Sequence, residues 1–311
     1  MGDLSCKPSC IALAGILIIT LLALVVVSVL YGKTVVRSPQ IAFSTFIPPS
    51  TLILPPNISL PLWMNKRIPK VFIRTGPWEW SDLPEPFREN LLMQESLNPG
   101  FSSLYFSDAQ CRLFITECYP QWLGAYDSLI PGAFKADLWR LMILYIHGGI
   151  YNDIGHVYIR PVSDFFNVEV DEFVSVIDFK WGIHNALMAA YPQHPIILAL
   201  LNFVCLNVVT KSMGINPLDI TGPMALGRAF KRMFGKKDLD EIPSGMSVIN
   251  GKRMRFLDLR INNSATIGVS SSGKILLQTK CPDYEYFMYT SRDKIPYDKA
   301  WRTNKVFSKG S

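Results

Sequence analysis

The longest apolar run is "IALAGILIITLLALVVVSVL", Ile11 to Leu30, and it carries no charge. As a helix it would be about 30 Å long, enough to cross a hydrocarbon core. The apolar region of a secretory signal peptide is shorter, about 7–15 residues. The pattern therefore predicts a retained anchor over residues 11–31, behind a short tail, 1–10. Lys7 on one side and Lys33 and Arg37 on the other leave its orientation open. The next segment, 32–66, contains "IPPSTLILPPNISLP". Such proline-rich chain stays extended and reads as a stem. A body of residues 67–311 follows. A second apolar run, Ile196 to Val209, is interrupted by Asn202 and Asn207 and is too short to span easily, so it reads as a buried helix.

Within the body, Val71-Phe72-Ile73 after a proline predicts a buried strand ending at Arg74-Thr75-Gly76. "PEPFRENLLMQESLNPG" reads as a helix stopped at Asn98-Pro99-Gly100, and "FSSLYFSDAQ" as a second strand ending at Asp108. Strand, helix, strand predicts a parallel sheet with right-handed crossovers. Ligands in such sheets sit beyond the carboxyl ends of the strands, which places Arg74, Thr75 and Asp108 at a candidate nucleotide site. In "PGAFKADLWRLMILYIHGG", Leu138, Leu141, Met142 and Tyr145 repeat at helical spacing. Gly148 and Gly149 supply a left-handed end, and Ile150-Tyr151 is a short strand that delivers Asn152 and Asp153 to its tip. "DEFVSVIDF" is a further strand, "QHPIILALLNFVCLNVV" a helix, and "TGP" (Thr221 to Pro223) a tight turn before a helix over 224–234. The last stretch mixes short strands and loops. The fold class is α/β.

Composition narrows the class. The 311 residues are 49% hydrophobic and 18% charged, which excludes a disordered chain. The net charge of +6 is concentrated in "KRMFGKK" and "GKRMR", either a solvated basic face or an attraction for an anionic substrate; no nucleic-acid module is recognisable. Of six cysteines, Cys6 and Cys10 flank the apolar run. Cys111, Cys118, Cys205 and Cys281 allow three pairings, and without a CxxC they do not suggest zinc. Asn57 and Asn262 head glycosylation sequons that matter only in a lumenal domain.

The chemistry gathers around one helix and one strand. Asp137 and Arg140 share a helix face at i, i+3, where an ordinary ion pair is one explanation. Asp153, at the tip of the strand that leaves this helix, offers a second: two carboxylates and a guanidinium converging on one crevice. Sugar transfer from a nucleotide diphosphate needs the departing charge neutralised, either by a divalent metal on carboxylates or by Lys and Arg. Mg²⁺ and Mn²⁺ take oxygen ligands.

"IPKVFIRTG", "NPGFSSLYFSDAQCRLFI", "YDSLIPGAFKADLWRLMILYIHGGIYNDIG" and "TGP" together resemble glycosyltransferase family 32, over about half of the chain. The resemblance implies a GT-A-like, Rossmann-type nucleotide-sugar domain behind a transmembrane helix. It implies a nucleotide-sugar donor, a glycan or glycolipid acceptor, a divalent metal (Mn²⁺ or Mg²⁺) and retention of anomeric configuration. Many members are type II Golgi membrane proteins with a lumenal catalytic domain, and the commoner ones point weakly to mannose from GDP-mannose. By position, Asp137 and Arg140 match the donor-binding helix pair. Gly148, Gly149 and Tyr151 match the turn into the DXD strand, and Asp153 matches the first aspartate. Gly155 falls on the second, commonly a direct metal ligand, and has no ligand atom.

Three readings stay open. A metal is held by Asp153, the diphosphate and another ligand, with His156 the nearest candidate; no metal is needed; or catalysis is lost and a sugar- or nucleotide-binding module remains. "WGIHNALMAAYPQHP" resembles the acceptor-side segment, with His184 and Asn185 facing the sugar or capping a loop. His147 sits favourably against a helix dipole, and His194 reads as structural. Trp78 and Trp80 would stack on a ligand or pack in the core.

Overall fold

The computed structural model describes residues 66–178, 181–238, 240–249, 251–261, 265–268, 273–290 and 295–308. The expected anchor and stem, Cys6, Cys10 and both sequon asparagines lie outside these residues. Among the described residues no helix is long and apolar enough to cross a membrane.

The first strand, β1 (Val71–Gly76), is buried along its whole length. Helix α1 (Glu85–Leu97) follows, with Phe87 and Leu91 turned inward. Strand β2 (Ser102–Ser107) runs parallel to β1, in register from Val71 opposite Ser102 to Gly76 opposite Ser107. The strand stops one residue earlier than the sequence pattern predicted. Ser107 and Gln110 form a reciprocal capping box, so Asp108 opens helix α2 (Asp108–Cys118) rather than ending the strand. Short α3 (Leu123–Ser128) leads to α4 (Gly132–His147), which buries Phe134 and everything from Leu138 to Leu144.

Strand β3 (Gly149–Asn152) lies parallel to β1 on one side and antiparallel to residues 187–190 on the other. After the two-residue β4 (Val157–Tyr158), β5 (Phe173–Asp178) and β6 (Gly182–Ala190) form an antiparallel pair. Helices α5 (Pro195–Val209) and α6 (Pro223–Met233) follow. Strands β7 (Gly245–Ile249), β8 (Lys252–Ile261), β9 (Ala265–Gly268) and β10 (Ile275–Gln278) precede the last helix, α7 (Tyr297–Arg302). The strands join in the order β2-β1-β3-β6-β5-β8-β9-β10-β4, with β7 paired to β8. The parallel block β2-β1-β3 is as the sequence implied. The rest is mixed: β5 and β8 are parallel, but β8, β9 and β10 pair antiparallel. The fold is mixed α/β.

Period-two alternation divides the core. Ile73, Tyr151, Phe173 and Met188 face one apolar cluster with α4, α5 and α6. Their neighbours Phe72, Ile150, Val174 and Leu187 face the other, with Tyr158 and Leu276. Both faces are covered, so these strands read as continuous apolar runs. The four body cysteines are buried and free. The basic segments do not meet the cavity described below. Lys231 is buried and donates to the Asp238 carbonyl, Arg232 lies over the Phe203 ring, and Arg253 and Arg255 pair with the buried carboxylate of Asp171.

Candidate functional site

The junction of α4 and β3 builds the site. Gly148 closes the helix with φ 63°, its N–H donating to the Leu144 carbonyl at 2.9 Å. Gly149 follows at φ 104°, so close to β1 that a Cβ there would lie 2.9 Å from the Val71 carbonyl oxygen. Two left-handed residues in succession let the chain reverse directly from a buried helix into the sheet. β3 then ends beside β6, where the Asp153 N–H donates to the Ala186 carbonyl at 2.9 Å. One turn of α4 and the tip of β3 thus face each other.

Between them lies the Arg140 guanidinium. Its Nη2 is 3.2 Å from Asp137 Oδ1 and 3.3 Å from Asp153 Oδ1, and its plane sits 4.5 Å from the centre of the Tyr151 ring. The Tyr151 hydroxyl donates to the same Asp153 oxygen at 3.0 Å. Both oxygens of Asp137 are occupied: Oδ1 accepts from Asn185 Nδ2 and Oδ2 from the Thr221 hydroxyl, each at 2.7 Å. Burial raises the Asp137 pKa, against the opposing pull of Arg140 and the Thr221 and Asn185 hydrogen bonds. Burial also works against the charge on Arg140, but Tyr151, Asp153 and Asp137 outweigh it and hold its pKa above the ordinary value. The side chains differ in access: that of Arg140 is 5% exposed, that of Asp153 33%.

These residues line a cavity of about 380 Å³, within the size range of small-molecule sites. Thr75, Asp108, Asp137, Arg140, Tyr151, Asp153, His184 and Asn185 all reach it. Arg74, Gly149 and His156 do not line it. Arg74 is fully buried beneath the turn, its Nη1 donating to the Ile154 carbonyl at 3.2 Å, and burial pushes its pKa down to about 10. It braces the turn that carries Asp153 instead of facing a ligand. His156, the tentative metal ligand, is 1% exposed, and burial pushes its pKa down to about 3. His184 and Asn185 sit inside β6, not in a loop, so the loop-capping explanation falls. His147 needs a charge to profit from the helix dipole, and burial holds it neutral with a pKa of about 4. His194 caps α5, its Nδ1 accepting from the Ile196 N–H. Trp78 packs on Phe87 in the core.

Several cavity residues escaped the sequence reading. Asp178 ends β5, is 4% exposed, and has one carboxylate oxygen without a hydrogen-bond partner; His184 Nδ1 lies 3.7 Å from the other. A carboxylate at a strand end was the available signal, the same one that marked Asp153. Thr221, which does not line the cavity but is fully buried behind it and orients Asp137, was visible only as part of a turn. Tyr284, Tyr289 and Tyr297 come from the far end of the chain and carry no local signature.

Tyr284 explains the glycine at 155. A Cβ on Gly155 would lie 2.6 Å from two carbons of the Tyr284 ring. The ring packs edge-on against Phe87, with centres 6.2 Å apart. The second carboxylate of a DXD motif therefore has neither a side chain nor room for one. Asp153 already shares one oxygen between Tyr151 and Arg140. Among the described residues no group of three His, Cys, Asp or Glu comes together that would hold a metal. The residues present do not fit a metal bound by two motif carboxylates.

Residues 84–172, from Pro84 just before α1 to Glu172 just before β5, match the family described as "Glycosyltransferase sugar-binding region containing DXD motif". "Inositol phosphoceramide mannosyltransferase 2" of Schizosaccharomyces pombe is 26% identical, over 57% of this chain and 50% of that protein. "Mannosyl phosphorylinositol ceramide synthase SUR1" of Saccharomyces cerevisiae is 27% identical over 43% of this chain and 34% of its own length. The "Initiation-specific alpha-1,6-mannosyltransferase" of Candida albicans is 34% identical over 24% of this chain and 20% of that protein. The chain thus spans half or less of the length of these relatives. Among solved structures, "PaToxG Glycosyltransferase" aligns at a TM-score of 0.40 and 16% identity, over 54% of this chain and 70% of that chain, too distant to carry an argument. The relatives are glycosyltransferases, mannosyltransferases among them.

Proposed function

We propose, on the premise that residues 84–172 belong to the DXD-containing sugar-binding glycosyltransferases, that this chain transfers a hexose from a nucleotide sugar to a glycan or glycolipid acceptor. The observation that carries the reading is the Arg140 guanidinium held between Asp137 and Asp153 on the wall of a cavity of about 380 Å³. An arginine fixed by two carboxylates is a preorganised cation for the charge that builds on a departing diphosphate. Asp137 is a positioning residue: it holds Arg140 and is itself oriented by Thr221 and Asn185. Asp153, the more exposed carboxylate, accepts hydroxyl groups of the donor. His184 and Asn185, with Asp178 beside them, form the side of the cavity assigned to the acceptor.

In this reading the anomeric configuration is retained, through an oxocarbenium-like state assisted by the leaving group. Mannose from a guanine nucleotide is the first donor to try, because the relatives are named as mannosyltransferases. A glycolipid is the first acceptor to try for the same reason. The GT-A-like architecture, the anchor over residues 11–31 and a type II Golgi placement belong to the same proposal. Gly155 has no room for a second motif carboxylate, so the leaving-group charge is assigned to Arg140. The inactive binding module raised by Gly155 gains no support from relatives that are named for transfer activities.

The test is release and transfer of hexose from a panel of nucleotide sugars, each with Mn²⁺, Mg²⁺ or EDTA. Turnover with at least one donor, abolished by Asp153→Asn, is the expected result. Nucleotide binding without turnover under every condition would instead mark a binding module.

A further inference from the structure

We propose that the cavity holds the donor's diphosphate without a divalent metal, through Arg140 and the phenols of Tyr284 and Tyr289, with the Tyr284 ring seated where the second metal-binding carboxylate would stand. The inference rests on the reading of the cavity as a nucleotide-sugar site.

Three observations carry it. The first is steric. Gly155 cannot be read as a simple loss, because the Tyr284 ring fills the space beside its Cα, 2.6 Å from where a Cβ would be. That ring is fixed from several sides: its backbone N–H bonds the Cys281 carbonyl, Phe87 packs against its edge, and Lys280 Nζ lies 5.4 Å from its centre.

The second is the state of Asp153. Its Oδ1 takes both the Tyr151 hydroxyl and the Arg140 guanidinium. A divalent ion on this carboxylate would crowd a fixed cation, and like charges a few ångströms apart in a partly buried site repel strongly. Arg140 supplies a fixed single positive charge beside this carboxylate, on a wall that also carries Asp108, Asp137 and Asp178, so the phenol donors must supply the rest of the grip on the diphosphate.

The third is the supply of donors. Tyr284 and Tyr289 both line the cavity, and the field of Asp153 reaches both. Burial lifts the Tyr284 phenol well above its ordinary pKa and pushes Tyr289 up to about 12. Both remain protonated at neutral pH. A neutral phenol is an O–H donor, and its hydrogen bond to an anionic phosphate oxygen is charge-assisted. Two such donors and one guanidinium would satisfy diphosphate oxygens that a metal ion otherwise bridges.

The experiment is calorimetric titration of the full chain with GDP and with UDP, each in excess EDTA and in excess Mn²⁺. Whichever nucleotide binds should do so with an affinity that differs less than about threefold between the two conditions. Tyr284→Phe keeps the packed ring and removes only the hydroxyl. It should weaken binding in EDTA about tenfold, the scale of one hydrogen bond to a charged group, and Tyr289→Phe likewise. Binding that needs Mn²⁺ overturns the proposal and leaves the glycosyltransferase reading standing. So does a double Phe variant that binds as tightly as the natural chain. Failure of both nucleotides to bind under either condition sinks the nucleotide-site reading, and this inference with it.

Discussion

Arg140 and its two carboxylates respond differently to substitution because they differ in access to water. Arg140→Met removes a buried cation and strands Asp137, which no longer has a compensating charge. A stability loss on the order of 3–5 kcal/mol is expected, read as a lower urea midpoint. Asp153→Asn keeps the shape of the more exposed partner, so hexose transfer should vanish while the fold survives, checked by assay and by thermal midpoint. At Gly155 the expectation runs against the motif. Gly155→Asp restores the missing carboxylate on paper but drives a side chain into the Tyr284 ring. It should lose about 1–3 kcal/mol of stability and gain no activity, and Tyr284→Ala in the same chain should recover part of the loss. Asp137, Arg140 and Asp153 were legible because their spacing put them on one helix face and one strand tip. Tyr284 was not: it meets Gly155 only through the tertiary fold, and no local pattern marks that contact.

At the scale of elements, the α4–β3 junction is the hinge of the site's geometry. Gly149→Ala would impose a Cβ on a residue at φ 104° and press it against the Val71 side chain and carbonyl of β1. A loss of about 1–3 kcal/mol is expected, together with weaker nucleotide binding, because Asp153 rides on the displaced strand. Both effects are measurable on one preparation by denaturation and titration. The helix and the strand themselves could be read from an apolar stripe ended by two glycines. The errors elsewhere have local causes. Apolar alternation predicts that the second strand runs to Asp108, but the Ser107–Gln110 capping box, a side-chain arrangement that alternation does not register, opens a helix there. His184 and Asn185, read as facing the sugar or capping a loop, lie in a central strand, where polar residues are uncommon; both line the cavity, and Asn185 is satisfied by Asp137 across the site. The short strands after residue 245 pair with partners far along the chain, so their order in the sheet had no signature in the sequence.

For the whole molecule, the buried histidines set acid tolerance. Burial lowers His147 to about 4 and His156 and His194 to about 3. An unfolded chain protonates all three near pH 6.5, the ordinary value for histidine. Their folded pKa values are depressed, so the stability they contribute is fully present above about pH 6.5 and is lost as pH falls toward 4 and 3. The slope is on the order of 1 kcal/mol per pH unit for each histidine, visible as a steep fall of the thermal midpoint below pH 6. His194→Asn, which preserves an acceptor at the start of α5, should flatten that fall.

The cavity wall runs from Thr75 in the first strand to Tyr297 in the last helix. Occupancy is therefore possible only once the two extremes of the described chain have met. On the proposed function, a bound nucleotide would act as a clasp on the entire domain: at a hundred times its dissociation constant it would add about 2.7 kcal/mol to unfolding. Copies cut anywhere between these extremes would lose that protection together with their grip on the nucleotide.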